Sequence, residues 1–581
     1  MPDIQTTLAT RTRRAVVAAF GEDYADVDPM IRPSGQPQFG DYQANLAMSL
    51  KKTIGESPRD IAQKIIDHLD LSHVCEKVEL AGPGFINLHL SKAFLNDRIN
   101  MMARDGRLGV SNAEPALNVV VDYSSPNVAK EMHVGHLRSS IIGDSIARVL
   151  TFLGHHVIRQ NHIGDWGTQF GMLIEHLTEL GWDQQGEHSI SDLNVLYKEA
   201  KLKFDEDSDF KERARLRVVS LQSGDSETLS LWTALINESK RHFNQAYRRL
   251  GVQLTDDDIR AESFYNDRLA DVIIALEDAG VLKESEGAKV VFPPGFNNKD
   301  GDPLPMIVQK SDGGYLYATT DLAAVQFRVA ELDADRIIYV TDARQADHFA
   351  MFFWTAKNCG WLKSASSLEH VVFGTVLGED SKPLKSRSGD PEKLVSLLDM
   401  ATAKAREVVD EKNAGLSEQE RAKVAETVGI GALKYADLSS DRIKDYKFSP
   451  DRMLAFEGNT APYIQNAYVR VHGIFRKGDI DQATLADKTI MVGDDAERVL
   501  AVKLLQLSSV IDSVAESLEP HRLCTYLYEL AASFHKFFEN CPVLSANDDA
   551  TRCSRLRLCE LTSQTFKTGL GLLGIEVVER M

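Results

Sequence analysis

Apolar positions along the first hundred residues follow two rhythms. They recur at helical spacing over about 4–20, 42–52 and 58–69, and each stretch predicts a helix. "KVELAGPGFINLHLS" (77–91) instead alternates on both sides of Gly82-Pro83-Gly84, the pattern of two strands joined by a turn. From 117 the order becomes strand, helix, strand. "LNVVVDY" (117–123) reads as a buried strand, and Leu137, Ile141, Ile142, Ile146, Val149 and Leu150 then recur at helical spacing. Gly154 is a natural helix stop, and "HVIRQNHIGD" (156–165) supplies the next strand. Two strands joined by one helix imply a right-handed parallel crossover and an α/β sheet.

Residues 181 to about 290 interrupt that order with charged, helix-rich sequence such as "LNVLYKEAKLKF" and "FKERARLRVVSL". Strand-like runs resume at "KVVFP", "MIVQKSDGGYLYATTD", "DRIIYVTD" and "HVVFGTVLG". Beyond about 400 the apolar spacing is almost wholly helical, which predicts a bundle. The expected fold class is multidomain α/β. An N-terminal α+β domain spans 1–110. A Rossmann-type parallel-sheet domain spans 111–400 with a helical insertion at about 181–300, and an all-α region spans 401–581.

Composition narrows the class. At 581 residues the chain is too long for one core, and 43% hydrophobic with 26% charged residues is ordinary for a soluble globular protein. No run approaches the roughly 20 apolar residues of a membrane span, and the start reads as an ordinary helix with no signal peptide. Six scattered cysteines without a C-x-x-C pair suit reduced thiols in the cytoplasm, and no metal site is expected. A net charge of −19 (66 basic against 85 acidic residues) argues against broad nucleic-acid binding while leaving room for a local basic groove.

The chemistry concentrates in "SSPNVAKEMHVGHLR" (124–138), where the first parallel strand hands over to its helix. Ligands of open parallel sheets bind at such edges, and a helix start offers N–H groups to phosphate. His133 and His136 face that ligand and, protonated or as neutral donors, stabilise charge growing on phosphorus. Gly135 clears room for a flat base to pack on the backbone, and Lys130 adds a positive charge. A helix-cap histidine beside a surface histidine is the bland reading of H-x-x-H alone. Its setting beside Pro126, Asn127 and Lys130 favours the phosphate site.

"HVGH" resembles the HIGH signature of class I aminoacyl-tRNA synthetases. With "NHIGDWGTQFG" (161–171), the longer motif resembles the arginyl-tRNA synthetase family. "FGDYQANLAMSL" and "AGPGFINL" resemble that family's N-terminal tRNA-binding domain; "YATTDLAA", "YVTDARQADHF" and "GEDSKPLKSRSGD" resemble its catalytic core. "LAFEGNTAPYIQNAYVRV" and the closing "LLGIEVVERM" resemble its anticodon-binding bundle.

That resemblance implies ATP-dependent ligation of L-arginine to its tRNA through an arginyl-adenylate, with magnesium on the ATP phosphates and a monomeric enzyme. It places Tyr317 and Asp321 on the guanidinium, Gln345 near the amino acid, and Asp122 and Asn127 at the amino-acid end. For Asp321 a helix N-cap is the structural alternative. In the tRNA-binding regions it implies Tyr463, Ala467 and Met581 for the anticodon pocket and Phe85 and Asn87 for the D-loop, core packing being the alternative for both aromatics. Arg470, His472, Arg476 and Lys477 lie close together in sequence, with Tyr463 and Tyr468 able to stack on bases.

The chain departs from the family in its second signature. "SKPLKSRSG" lacks the full KMSKS motif; Lys382, Lys385 and Arg387 are its cations, Lys385 and Arg387 being assigned to ATP, and Lys130 is the family's alternative source of that charge. Two other readings compete. A HIGH-type nucleotidyltransferase acting without RNA would have little use for the N-terminal domain and long bundle. A non-catalytic RNA-binding descendant would not need His133, His136, Lys130, Asp321 and Gln345 intact.

Overall fold

Val119, Val120 and Val121 are fully buried, as a central strand with helices on both faces requires. In the computed structural model, which describes residues 3–128, 130–182, 193–385, 392–412 and 415–581, their strand Asn118–Asp122 lies inside a four-stranded parallel sheet. The order across the sheet is 367–373, 336–342, 118–122, 156–160. Strand 118–122 therefore sends its crossover to one side while the later strands add on the other. That reversal opens a crevice at its carboxyl end.

The chain divides into two compact units, one of residues 1–112, 455–571 and 576–581, the other of 113–454 and 572–575. The sheet belongs to the second. This unit extends to Leu454 because helix Glu418–Leu438 packs into it. Its Asp437 forms a buried ion pair with Arg138 at 3.1 Å, and its buried Lys434 donates to the carbonyls of Leu250 (2.6 Å) and Gly574 (2.5 Å).

Two sequence expectations for this unit are corrected. "KVVFP" and "MIVQ" stand outside the parallel sheet, in a separate antiparallel one ordered 283–285, 288–291, 306–309. The end of "MIVQKSDGGYLYATTD" is helical, since Tyr317–Ala330 buries Ala318, Leu322, Ala323 and Val325 at helical spacing. The insertion expected at about 181–300 is helical at Leu193–Glu206, Ser208–Gln222 and Ser226–Leu250, and its end carries the strands 283–285 and 288–291.

In the first unit the expected helices at 4–20 and 58–69 stand as Ile4–Phe20 and Pro58–Asp67, and strands Cys75–Ala81 and Phe85–Leu90 pair around Gly82-Pro83-Gly84. The expected helix at 42–52 begins instead as strand Tyr42–Ala44, which pairs with Ile86–Leu88 before helix Ala47–Ile54 starts. Sheet pairing overrides a helical period this short. The C-terminal part of this unit is helical, from Ala461–Gly478 through Asp549–Leu572. Among the described residues no helix is long and apolar enough to cross a membrane.

Candidate active site

The crevice lies at the carboxyl end of strand 118–122. Strand 118–122 ends on Asp122, whose carboxylate accepts from buried Arg328 (2.6 Å) and from Ser125 Oγ (2.9 Å), while Arg328 also donates to Gln160 (2.6 Å). Asp122 thus holds the crevice floor together.

After Tyr123 the chain takes two consecutive left-handed residues, Ser124 (φ 72) and Ser125 (φ 45). Each costs about 1 kcal/mol or more for a residue with a Cβ. Asn127 follows, exposed, bridged in parallel to Gly164 of "NHIGD". A Cβ on Gly164 would stand 2.2 Å from Asn127 Oδ1, so glycine is required there for the asparagine to lie across it.

His133 is the N-cap of helix Val134–Phe152. Its Nδ1 accepts from the Gly135 N–H at 3.0 Å, and His136 Nδ1 accepts from the His133 N–H at 3.1 Å. The rings lie 4.0 Å apart, and a Cβ on Gly135 would meet His133 Cε1 at 2.8 Å, so this glycine makes room for the imidazole as well as for a ligand. Burial is the largest influence holding both histidines below the ordinary range, with Lys130 adding to it; His136 falls to about 3. Both rings are therefore neutral near pH 7. With each Nδ1 used as an acceptor, the proton sits on Nε2. Of the two states open in the sequence, the fold selects neutral Nε2–H donors.

The helix start differs from expectation. The Val134 N–H donates to Glu392 O (2.9 Å), Gly135 to His133 Nδ1, and His136 to His133 O (2.8 Å). These first-turn N–H groups are already paired, so the imidazole Nε2–H groups and Lys130 are the donors at hand for phosphate. Lys130 Nζ rests 4.2 Å above the Tyr197 ring of the insertion. Lys382 and Lys385 are exposed. Arg387 lies outside the described residues. Beyond it Leu394 donates to Met132 O (2.9 Å), and Lys393 pairs with Glu131 (2.7 Å). Lys393 and Leu394 are thereby fastened to the approach of the histidine helix.

A second group of side chains is acidic. Tyr317 and Asp321 occupy the first two turns of helix Tyr317–Ala330, with Leu316 as N-cap, so Asp321 is no cap. Asp321 Oδ2 lies 2.6 Å from His348 Nε2, and the Tyr317 ring, 63% exposed, meets His348 edge-on at 4.8 Å. Gln345 is exposed at the start of helix Ala346–Asn358. Glu262 completes this group. Its segment runs beside "NHIGD", with the Glu262 N–H donating to Ile163 O (3.1 Å) and Arg260 to Asn161 O (3.1 Å). Burial, then the charges of Asp165 and Asp321, push the Glu262 carboxyl up to about 7. Burial also raises Asp165, which accepts from Ser263 N and Oγ. Such mutual repulsion marks a place for a cation.

Sequence reading missed Glu262 and His348. His348 stood inside the quoted "YVTDARQADHF", a usable signal; Glu262 lay in sequence read as insertion, with no local pattern to mark it.

In the first unit, Asn87 is 2% exposed and accepts from Gln43 Nε2 (2.7 Å), so it supports the sheet instead of facing outward; Phe85 is half-buried. Tyr463 is half-buried among Tyr528 (5.5 Å) and His535 (5.1 Å), and Arg470 donates to His535 Nδ1 at 3.0 Å. Ala467 and Tyr468 are core residues at 0% and 4% exposure, and His472 is buried against Ser563 (3.1 Å), which removes Tyr468 as a stacking surface. Arg476 donates to Glu579 O (2.9 Å), holding the end that bears Met581 to helix Ala461–Gly478.

The "tRNA synthetases class I (R), catalytic domain" family matches residues 99–450, the "DALR anticodon binding domain" 464–581, and the "Arginyl tRNA synthetase N terminal domain" 4–90. The chain is 53% identical to the arginine–tRNA ligase of Thermobifida fusca (strain YX), with 100% of each covered. Among solved structures, the arginyl-tRNA synthetase of Plasmodium falciparum matches with a TM-score of 0.87 at 32% identity, covering 100% of both chains. That of Thermus thermophilus matches at 0.81 and 25%, covering 99% of this chain and 100% of its own. With a paired-histidine helix at a sheet switch point and relatives matched end to end, the chain belongs to the arginyl-tRNA synthetase family.

Proposed function

We propose that this enzyme joins L-arginine to its tRNA at the expense of ATP, with the crevice at the end of strand Asn118–Asp122 as the active site. The observation that carries this reading is the acidic group. Glu262, raised to about 7 by burial and by the charges of Asp165 and Asp321, shares its surroundings with Asp321, which stands one helical turn from the solvent-exposed Tyr317. A guanidinium there pairs with Asp321 and Glu262 and packs on Tyr317.

The arginine α-amino and carboxylate groups then reach toward Asn127 and Gln345, and Asp122 acts through Ser125 and Arg328. The α-carboxylate attacks the α-phosphorus of ATP, an arginyl-adenylate forms, and pyrophosphate leaves. His133 and His136 donate from Nε2 to phosphate oxygens as charge builds, and Lys130 adds its ammonium. Lys385 and Arg387 supply further positive charge. A terminal ribose hydroxyl of the tRNA next attacks the acyl carbon, and AMP leaves. Magnesium would accompany the ATP phosphates and neutralise part of their charge.

On the first unit, Tyr463 with Arg470 and the Met581 end offer stacking and charge to the anticodon loop, with Ala467 shaping the helix beneath. Phe85 faces the D-loop, with Asn87 bracing Gln43 behind it. The enzyme works in the cytoplasm as a monomer. None of the six cysteines, all among the described residues, is in a disulfide, which supports a reducing compartment. Pyrophosphate exchange measured with each amino acid, with and without arginine tRNA, tests the assignment. Exchange and tRNA charging should follow arginine, and charging of tRNA with any other amino acid at comparable efficiency would refute it.

A further inference from the structure

The left-handed turn Ser124-Ser125 sits where the strand ends and the substrate crevice begins, and side chains with a Cβ adopt that conformation only when neighbours enforce it. The enforcement is visible. The Ser124 N–H donates to Ser139 Oγ (2.8 Å), which donates to Val340 O (2.6 Å). The Ser125 N–H donates to Asn161 Oδ1 (3.0 Å), and Ser125 Oγ donates to Asp122 while accepting from the His162 N–H (3.2 Å). One side chain joins both halves of this network from outside the sheet. Tyr247 Oη accepts from Asn161 Nδ2 (3.1 Å) and is hydrogen-bonded to Ser124 Oγ at 2.8 Å, either hydroxyl being able to donate.

Tyr247 is 3% exposed and lies near the end of insertion helix Ser226–Leu250. That end is itself fixed. Arg148 of the histidine helix, paired with Asp144 (2.6 Å), donates to Gly251 O (2.6 Å), and the Gln253 N–H donates to Asp144 Oδ1 (2.8 Å). The tyrosine hydroxyl therefore enters the turn from a rigid support.

We propose that Tyr247 is a positioning residue for arginine activation: by tying Ser124 to Asn161 it holds the left-handed turn in the form that lays Asn127 across Gly164. The inference rests on the reading of Asn127 as a contact for the amino-acid end of arginine. It gives the insertion a part in the chemistry although Tyr247 touches no substrate. Its hydroxyl remains protonated throughout the working range, since burial pushes it up to about 12.

Charging kinetics of the full-length enzyme with arginine tRNA, varying arginine and ATP separately, test this in Tyr247→Phe, Ser124→Ala, Ser124→Gly and the Tyr247→Phe/Ser124→Gly double variant. Tyr247→Phe and Ser124→Ala should each lower kcat/KM for arginine by about tenfold or more, the scale of one lost buried hydrogen bond with relaxed strain, leaving the ATP KM nearly unchanged. Ser124→Gly should stay within about threefold of wild type and restore most of the loss on the Tyr247→Phe background, because glycine takes the positive φ unaided. Wild-type arginine kinetics in Tyr247→Phe, or a loss that glycine does not relieve, would overturn the proposal. If Tyr247→Phe does not fold, equal damage from Ser124→Ala and Ser124→Gly overturns it instead. Asn127→Ala separates the underlying reading: unchanged arginine kinetics there removes Asn127 as the contact, while the alanine–glycine contrast at 124 still judges Tyr247.

Discussion

Glu262→Gln tests the acidic group most sharply, because affinity and stability should move in opposite directions. Burial and the neighbouring carboxylates raise this group from 4.5 to about 7. At about 1.4 kcal/mol per pKa unit, holding it ionised in the empty enzyme costs up to about 3 kcal/mol. The raised value means that the folded state binds the proton more tightly than the unfolded chain. Wild-type stability from this group is complete below 4.5 and declines as pH rises through about 7. Glutamine has no charge to repel, so the variant should melt about 3 °C higher at pH 8 for a unit of this size. Arginine should suffer. Losing one charge-assisted hydrogen bond of about 1.5–3 kcal/mol lowers kcat/KM roughly 10- to 150-fold. Wild-type arginine affinity should also rise with pH up to about 7 as Glu262 ionises, and this component should vanish in the variant. Charging kinetics from pH 5.5 to 8.5 beside thermal melts read both effects. A variant with wild-type arginine kinetics and an unchanged pH profile would refute the placement of the guanidinium against Glu262.

Three further outcomes follow from the same geometry. His136→Ala removes one Nε2–H donor and should slow pyrophosphate exchange about 10²–10³-fold while the protein stays folded, and near-normal exchange would remove its role. Asp321→Asn should lower arginine kcat/KM at least about tenfold; unchanged kinetics would leave Asp321 only as the partner of His348. Lys130→Ala should depress kcat for activation more than it raises the arginine KM, the mark of an interaction made mainly in the transition state. Far greater damage from Lys385→Ala would move that charge to the loop.

The sequence by itself determined whatever depends on neighbours along the chain. The apolar run 117–123, the helical spacing after Leu137 and the stop at Gly154 each encode local geometry, so the strand–turn–helix bearing "HVGH" could be read directly, whereas Tyr317 and Asp321 came only through the family resemblance. Tertiary structure decided the rest, because the deciding contacts join residues far apart in sequence. Glu262 enters the crevice only by pairing of its segment with "NHIGD" a hundred residues earlier. The helix start loses a free N–H to Glu392, and the paired histidines become neutral donors because burial and Lys130 disfavour their charge. Periodicity marked Tyr42–Ala44 as helix and Tyr317–Ala330 partly as strand, and sheet pairing and core packing settled both the other way. Tyr247 carries no local signature at all, since its hydroxyl gains meaning only when helix Ser226–Leu250 brings it between Ser124 and Asn161.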